Sequence, residues 1–563
     1  MILTAEQLYA LAFEHFTAGR PGEAIPFLEP LVPHPVVGPE ALNLLAVICA
    51  RQGDLSRSAT FLTQLVAARP LNPDYRANLV TTLERAGNMG AAIEAANDWA
   101  GALYRNKRWP EAEQALRRVL QLAPDHRPAR CNLAATCEAM GRPEESIAIG
   151  LPLLRHYGMS DALTAELVRD VEASLPQLTR DPVAASAQAS RSPQPPVGAS
   201  ELAELLPKAL CNLGNSLARM RQLPLSIRAY RHSMALAPVA LTEWNLALAL
   251  LLTGHFDEGW RAYESRWRWD EFEFPERGFA QPRWQGESLK GRSIFVYAEQ
   301  GFGDTLQFCR FVPRLLEQAA QVTFEVQQQL FPLLQNSFYG SGVCLIPREE
   351  DPRTLAEPVS FDVHCGLMSL FHWLGLDMAT TPAPTAYLAP RQAARDHWSR
   401  VQPKPGKPRI GIVWAGRPEH YKDRERSITD MAVLRPLADL AHVEWHSLQI
   451  GPAAARRQEF SVDCIDHMAE LTDFEQTAAL IERLDAVVAV DTAIAHLAGG
   501  LGKPVFLLLP YVPDWRWGLE RSNSPWYRGL RIFRQPKRGN WVPPVAALAK
   551  AINVVHPGGH GRV

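Results

Sequence analysis

The sequence predicts a helical N-terminal array followed by an α/β region built on two parallel sheets. Similar segments recur through roughly the first 270 residues, mostly at a spacing of 34 residues, with one shortened repeat and a break at 174–200. After Trp284 the pattern changes, and short apolar runs alternate with helical stretches. A chain of 563 residues is also too long for one hydrophobic core. The fold class expected is therefore an α-solenoid followed by two Rossmann-like lobes.

The helical array is predicted from glycines and small residues that recur together. Gly19, Gly53 and Gly87 are spaced 34 residues apart. Small residues follow five positions after each glycine, at Ala24, Ser58 and Ala92. A unit of helix, glycine turn, helix and proline with this period is the tetratricopeptide repeat (TPR) signature. Small residues let two helices pack closely, and stacked pairs bury the apolar face that a single pair cannot cover. A TPR array is therefore predicted over residues 1–173.

The remaining domain boundaries are predicted from changes in composition. Residues 174–200 are rich in Ala, Ser and Pro, which is typical of a flexible linker. The repeat pattern resumes over 201–283, so further TPR helices are expected there. The first α/β lobe is predicted over 284–390 and the second over 391–563. A proline-rich hinge is expected between the lobes, at 383–407.

Seven buried strands are predicted from short apolar runs bounded by turn residues. These runs are SIFVYA, VTFEV, VCLIP, RIGIVWAG, VEWHSLQ, DAVVAV and PVFLLLP. Continuous apolar strands separated by helical segments indicate parallel sheets covered on both faces. A last helix is expected near residues 542–554.

Composition excludes several classes of protein. The net charge is −2, which argues against a large nucleic-acid-binding surface. There is no run of 18 apolar residues and no basic segment before the first helix, so neither a membrane span nor a signal peptide is expected. The eight cysteines form no C-x-x-C pair, which favours buried thiols in a reducing cytoplasm over a zinc site. A cytoplasmic protein is predicted.

A first candidate site follows the first predicted strand, in the stretch IFVYAEQGFGDTLQF. Gly301 and Gly303 would allow a ligand to approach the backbone, and Asp304 stands where the next helix begins. Ligands of open parallel sheets bind beyond the carboxyl ends of the strands. Asp304 is therefore either a functional carboxylate or a cap for backbone N–H groups. The spacing leaves both interpretations open.

A second candidate site follows the strand DAVVAV. Asp491 and Thr492 precede a helix that carries His496. The N–H groups at a helix start favour anions, phosphate above all. The alternative is that Asp491 caps the helix while His496 packs in an interface. A cap and a ligand site can also coexist.

A basic loop after RIGIVWAG is the third candidate. Arg417, Lys422, Arg424 and Arg426 lie within ten residues of one another, just past a strand end. Such a cluster suits a diphosphate or a carboxylated sugar, although a solvated loop would have the same composition.

Two further segments are expected at the same rim. Ser447 and Gln449 end another strand as small polar groups. Trp515, Arg516 and Trp517 follow the last strong strand, and their aromatic rings could border a base or a sugar or simply pack.

Taken together, these residues resemble the TPR-containing bacterial glycosyltransferases whose catalytic region is of the heptosyltransferase (family 9-like) GT-B group. The segments that carry the resemblance are AEQGFGDTLQF, KDRERSI, SLQ, VDTAIAHLAGGLGKPV and LPYVPDWRW, within residues 284–540. The resemblance implies a GT-B fold, with an acceptor lobe followed by a nucleotide-sugar lobe.

The resemblance also implies roles for individual residues. Asp304 matches the catalytic base that deprotonates the acceptor hydroxyl. Lys422 matches, less surely than Asp304, the cation that stabilises the leaving phosphate, since Arg424 and Arg426 compete for that role. The donor-binding residues expected are Gly303, Arg417, Arg424, Ser447, Gln449, Asp491, Thr492, Ala493 and His496. No D-x-D motif occurs in the transferase region, so neither a metal nor a cofactor is expected. Inversion at the anomeric carbon is implied by the family alone.

The helical array separates this chain from lipopolysaccharide heptosyltransferases. TPR grooves bind peptides, so a protein acceptor is expected, glycosylated on Ser or Thr. The layout is similar to that of TPR transferases that modify flagellin, which would imply a nonulosonic acid such as pseudaminic acid carried on CMP. The alternatives are a lipid or polysaccharide glycosyltransferase with a TPR assembly module, and a catalytically inactive TPR adaptor.

Overall fold

The computed structural model divides the chain into two compact units, Met1–Thr242 and Glu243–Val563. The residues it describes are 3–70, 72–178, 199–272, 274, 277–351, 359–378, 380–402, 407–420, 422–460 and 464–555. The division between the units lies before residue 284, where the sequence places the start of the first α/β lobe.

The first unit is helical. Its helices are α1 (Ala5–Thr17), α2 (Pro21–Leu28), α3 (Gly38–Gln52), α4 (Leu55–Ala68), α5 (Pro73–Arg85), α6 (Met89–Arg105), α7 (Trp109–Leu122), α8 (Arg127–Ala139), α9 (Pro143–Gly158), α10 (Ala162–Ser174), α11 (Ala199–Arg219) and α12 (Leu223–Leu236). Helix α13 (Ala240–Leu252) spans the division between the units.

The turn glycines and small residues behave as the repeat pattern predicts. Gly19, Gly53 and Gly87 have φ values of 79°, 83° and 72°, the left-handed conformation that glycine adopts at low cost. Lys107 adopts the same conformation with φ 60°, in the short connection between α6 and α7. Ala24, Ser58, Ala92, Ala112, Ser146 and Ser226 are all buried. The predicted TPR array is confirmed.

The predicted flexible linker at 174–200 falls mostly outside the described residues. Within that range, α10 ends at Ser174, a short 3₁₀ helix covers Pro176–Leu178, and α11 begins at Ala199. Residues 403–406 of the predicted hinge also lie outside the described part of the chain.

The second unit contains α14 and the α/β region. The strands are β1 (Ser293–Tyr297), β2 (Gln321–Val326), β3 (Cys344–Pro347), β4 (Val363–Gly366), β5 (Arg409–Val413), β6 (Glu444–Ser447), β7 (Cys464–Asp466), β8 (Ala486–Val490), β9 (Val505–Leu509) and β10 (Leu530–Arg534). The helices are α14 (Phe256–Tyr263), α15 (Phe302–Phe308), α16 (Phe331–Ser337), α17 (Leu370–Trp373), α18 (Gln392–His397), α19 (Asp423–Arg426), α20 (Arg435–Ala438), α21 (Phe474–Arg483), α22 (Ala493–Gly500) and α23 (Val542–Val555).

The strands form two parallel sheets, one in each lobe. The first has the order β3-β2-β1-β4 and the second β10-β9-β8-β5-β6-β7. All seven predicted strands are present, and both predicted parallel sheets are confirmed. The sequence interpretation did not identify β4, β7 and β10, which all lie at sheet edges. Strand β10 carries exposed side chains, as at Arg531, and loses the continuous apolar signal, whereas β4 is buried but only four residues long.

Helix α14 packs against the first lobe. Its Trp260 is 2% exposed and contacts Phe308 and Phe371 of that lobe. The 3₁₀ turn that follows α14 contributes Arg266, which donates two hydrogen bonds to the carboxylate of Glu299, at 2.9 and 2.8 Å. This buried ion pair fixes the segment directly after β1.

No helix among the described residues is both long and apolar enough to cross a bilayer. All eight cysteines are free thiols; six are buried, Cys211 is half-buried and Cys344 is exposed.

Candidate active site

Asp304 lies at the third position of α15, just beyond the carboxyl end of β1. The N-cap is Gly301, and the Asp304 side chain accepts the Gly301 N–H at 2.8 Å. Asp304 thus caps the helix through a hydrogen bond from its first turn back to the N-cap residue. Gly301 has an extended backbone with φ −85°, so the left-handed turn conformation does not explain the glycine. The carboxylate retains a second oxygen that faces the second lobe.

Arg516 binds that second oxygen and thereby connects the second lobe to the first. It forms an ion pair with Asp304, and its Nε donates to the side-chain oxygen of Gln307 at 2.6 Å. Its Nη1 donates to Asp514 at 2.8 Å. The Asp304 side chain is 19% exposed and that of Arg516 is 7% exposed, so this network is largely shielded from solvent. Charge-assisted bonds of this kind are stronger than bonds between neutral groups.

The two carboxylates beside Arg516 differ in their proton affinity. Burial raises the pKa of Asp304, and Asp514 and Glu299 add to the rise, whereas Arg516 acts to lower it. Burial also acts to raise the pKa of Asp514, but Arg516 and Lys422 outweigh it and the pKa is lowered. Asp304 is therefore the more basic carboxylate of the two, as a proton acceptor requires.

Asp491 and Thr492 lie at the switch point of the second sheet, between β8 and β5, which are neighbours in it. Arg426 donates from Nη1 to the backbone oxygen of Asp491 at 3.1 Å, which connects the basic loop to this strand end. Burial, together with repulsion from Asp514, raises the pKa of Asp491 to about 6. Switch points of open parallel sheets are common ligand sites.

Thr492 is the N-cap of α22, and Ala493 is the first helical residue. The Thr492 side chain makes no capping bond, and its hydroxyl is buried without a hydrogen-bond partner among the described residues. The first N–H groups of α22 lie beside it, and this is the arrangement that binds anions at helix starts. The start of α22 therefore leaves a buried hydroxyl beside backbone N–H groups, the kind of group that an anion would engage.

His496 is buried between the lobes. Its Nδ1 lies 2.8 Å from the Tyr527 hydroxyl, and its ring stacks on Trp517 with centroids 5.4 Å apart. Burial lowers the pKa of His496 to about 3, so the ring is neutral at physiological pH. Any contact that it makes with a phosphate is therefore that of a neutral hydrogen-bond donor.

Gly303 explains how α15 and α22 come together. A Cβ at Gly303 would lie 2.9 Å from the His496 ring and 3.6 Å from the Cα of Ala493. The close approach expected at this glycine is thus made by the second lobe's own helix. The helix start of α22 is thereby placed next to the turn that carries Asp304.

The other expected donor-binding residues have different surroundings. Gln449 accepts the N–H groups of Trp414 and Ala415 through its side-chain oxygen at 3.2 and 3.0 Å, so it closes the end of β5. Ser447 is buried at the end of β6, and its hydroxyl accepts the Gln449 N–H at 3.4 Å. Ser447 and Gln449 therefore stabilise the carboxyl ends of β5 and β6 through hydrogen bonds within the protein.

The cations of the basic loop are placed differently from one another. Arg417 is 71% exposed beside Glu419, and Arg424 is also exposed. Lys422 is half-buried and close enough to Asp514 to lower its pKa. Arg426 lies inside the rim, with its side chain 17% exposed. Lys422 and Arg426 are therefore more buried than Arg417 and Arg424.

Sequence reasoning did not assign Asp514 and Tyr527 to the site, and it gave Arg516 only an open aromatic-rim interpretation. One signal for the role of Arg516 was available in the sequence. Arg516 stands between two tryptophans after a long apolar strand, and an arginine buried in such surroundings needs a carboxylate partner. Which carboxylate pairs with it could not be read from a separation of 212 residues.

One group of possible metal ligands occurs among the described residues, namely Glu113, Cys137 and Glu145 in the helical array. Both carboxylates are engaged in ion pairs with Arg142. This neutralisation does not suit a cation, so we assign no metal there.

Family comparisons agree with this architecture. Residues 446–535 match glycosyltransferase family 9 (heptosyltransferase), and residues 9–73 and 97–155 match the tetratricopeptide repeat. Protein FlbA of Caulobacter vibrioides is 26% identical over 492 residues, which is 78% of this chain and 80% of that protein.

Similar solved structures include a glycosyl transferase of family 9 from Veillonella parvula, at 13% identity with a TM-score of 0.35, over 49% of this chain and 100% of that chain. Another is E. coli heptosyltransferase WaaC with ADP-2-deoxy-2-fluoro heptose, at 12% identity with a TM-score of 0.32, over 46% of this chain and 99% of that chain.

Proposed function

We propose that this chain, which joins tetratricopeptide repeats to a glycosyltransferase family 9 domain, transfers a sugar from a nucleotide-sugar donor to a hydroxyl of a protein acceptor. The observation that carries the proposal is the position of Asp304. Its carboxylate lies beyond a strand end of the first lobe, and Arg516 of the second lobe contacts it. A basic carboxylate next to a helix start suited to phosphate is what glycosyl transfer needs.

In this mechanism Asp304 removes the proton of the attacking acceptor hydroxyl. The bond between the anomeric carbon and the donor phosphate breaks as the new glycosidic bond forms. The helix start at Thr492 and the Lys422 ammonium stabilise the departing phosphate, with Arg426 fixing the Asp491 backbone. This set of cations and N–H groups supplies the charge stabilisation, so we propose transfer without a metal.

Arg516 has a positioning role in this scheme. It acts to lower the pKa of Asp304 and so favours the ionised carboxylate, whereas burial acts to raise that pKa.

We assign the helical array to acceptor recruitment, because stacked helix pairs present an extended surface to peptides. The narrower proposal is flagellin as acceptor, with a nonulosonic acid such as pseudaminic acid carried on CMP, modified in the cytoplasm on Ser or Thr. The resemblance to flagellin-modifying TPR transferases supports it. The alternatives are a lipid or polysaccharide acceptor and an inactive adaptor.

The direct test is incubation of the full chain with a panel of nucleotide sugars and a candidate flagellin, followed by intact-mass analysis. A mass increase equal to one sugar, absent without donor, is expected. Transfer to lipid extract alone would favour the lipid alternative. Nucleotide binding without transfer to any acceptor would favour the adaptor.

A further inference from the structure

A pocket of about 340 Å³ lies in the first lobe, outside the site built around Asp304 and Asp491. It is lined by residues that directly follow three neighbouring strands: Ala298 after β1, Gln327 after β2 and Arg348 after β3. This is the edge of a parallel sheet at which ligands bind. Ala298 and Glu299 line the pocket, and Glu299 is close enough to Asp304 to act on its pKa, so the pocket lies at the same carboxyl edge of the sheet as the proposed base.

Gln327 is the most unusual residue of this pocket. It is 3% exposed, yet neither its amide oxygen nor its amide nitrogen has a hydrogen-bond partner among the described residues. The hydroxyl of Tyr297, also 3% exposed, is likewise unpartnered within the described part of the chain. Buried polar groups are nearly always paired, because each unpaired group destabilises the fold. Groups left in this state at a pocket wall suit a ligand that completes their bonds.

Several charged residues of the pocket are neutralised by ion pairs with neighbouring side chains of the protein. Arg277 is paired with the buried Glu325, and Glu299 is paired with Arg266. Arg348 donates to the Ala298 oxygen at 3.1 Å. The carboxylates of Glu349 and Glu350 also line the pocket, so neither sign of charge dominates. These features favour an uncharged polar ligand over an anion.

Aromatic rings supply the remaining contacts. Trp267, Phe274 and Tyr297 line the pocket beside the polar groups. A sugar ring has C–H faces that pack on aromatic rings, and adjacent hydroxyls that can both donate to and accept from one amide. A primary amide could match Gln327 alone, but it has no apolar face for three aromatic rings.

We propose that this pocket binds one uncharged sugar ring carried by the acceptor, next to the hydroxyl that receives the new sugar. The proposal rests on the proposed glycosyl transfer, and it makes the preferred acceptor one that is already glycosylated. Gln327 and Tyr297 would then be specificity-determining residues, since a site with unpaired polar groups rejects ligands that cannot pair with them.

The test uses the full chain without any donor, so its result does not depend on transfer. Methyl glycosides of glucose, galactose, mannose and N-acetylglucosamine are the sugar probes, and N-acetylglutamine amide is the peptide probe. Binding is followed by saturation-transfer NMR and calorimetry in wild type, Gln327→Leu and Gln321→Leu. Gln321 is the matched control because it is exposed at the opposite end of β2.

We expect at least one glycoside to bind wild type and Gln321→Leu equally, and to lose about tenfold or more in affinity for Gln327→Leu, which can form neither amide bond. The melting temperature of Gln327→Leu should be equal to or above that of wild type, because an unpaired buried amide is removed. Tyr297→Phe, with the exposed Tyr339→Phe as control, provides a second variant should Gln327→Leu fail to fold.

The proposal is overturned if no glycoside binds, if binding is insensitive to both pocket variants, or if only N-acetylglutamine amide binds through Gln327. Nucleotide binding is also measured in Gln327→Leu and Tyr297→Phe, so that failure of the pocket assignment can be distinguished from failure of the proposed glycosyl transfer. A chain that binds and transfers from a nucleotide sugar while ignoring the glycosides retains the function and loses only the pocket assignment.

Discussion

The strand ends of the two lobes use charged residues in different ways. In the first lobe, Arg266 pairs with Glu299 and Arg277 with Glu325, and all four side chains are buried. In the second lobe, Arg426 donates to a backbone oxygen, and Lys422 lies at a half-buried rim. The first arrangement fixes shape by burying both charges of each pair, whereas the second keeps Lys422 and Arg426 only partly buried, with Arg426 also paired with Asp423. Asp304 is the exception, since it belongs to the first lobe and pairs with the second.

The largest expected effect comes from breaking a shape-fixing pair. Arg266→Ala leaves the buried Glu299 without its cation, and removal of one partner of a buried pair costs about 3–5 kcal/mol. We expect a large fall in the melting temperature of the second unit, measured by calorimetry. Arg268→Ala is the control, because Arg268 is 63% exposed and pairs with Glu243 at the surface. Equal stability of the two variants would contradict a structural role for Arg266.

The second prediction concerns Asp304, the carboxylate of the first lobe that pairs with Arg516 of the second. Asp304→Asn keeps the size of the side chain but removes the base, so transfer should fall by about 10²-fold or more. Donor binding, measured by calorimetry, should be largely kept. Asp362→Asn is the matched control, because Asp362 accepts the Ser293 N–H at the opposite end of β1. Normal turnover in Asp304→Asn would contradict a catalytic role for Asp304 and leave it only the role of capping α15.

The third prediction tests the second lobe as the donor side. Asp491→Ala and His496→Ala should each weaken nucleotide-sugar binding by about tenfold, roughly the contribution of one hydrogen bond in a charged site. Acceptor capture should be unchanged. Asp485→Ala serves as control, since Asp485 pairs with Arg409 at the far end of the second sheet. Wild-type affinity in both test variants would place the donor elsewhere.

The smallest effect expected is a shift in pH dependence. Burial raises the pKa of Asp304 and Arg516 opposes the rise, so Arg516→Gln should raise that pKa further. A base acts when deprotonated, and activity is lost as pH falls through its pKa. The acid limb of kcat/KM should therefore move to higher pH by about one unit. Arg516→Lys, which keeps the charge, should return the acid limb most of the way to its wild-type position. An unmoved acid limb in Arg516→Gln would show that another group titrates there.

Local patterns predicted most of the architecture. The 34-residue period identified the helical array because each repeat contacts mainly its neighbours, so its signal is local in sequence. Seven of the strands were predicted because they are continuous apolar runs. Six of them are largely buried, whereas β3 lies at a sheet edge and is exposed or half-buried along its length. Strand β7, with three residues and an exposed Ile465, has no such signal.

The chemistry of the site was predictable only in part. The sequence alone placed Asp304, Asp491 and Thr492 at strand ends, because a strand that ends in glycines or at a helix start is a local feature. It could not show that Arg516 pairs with Asp304, nor that Gly303 makes room for His496. Those contacts join residues about 200 positions apart, and only the packing of one lobe on the other brings them together. Burial, which raises the pKa of Asp304 and lowers that of His496, depends on that same packing and is therefore a property of the tertiary structure.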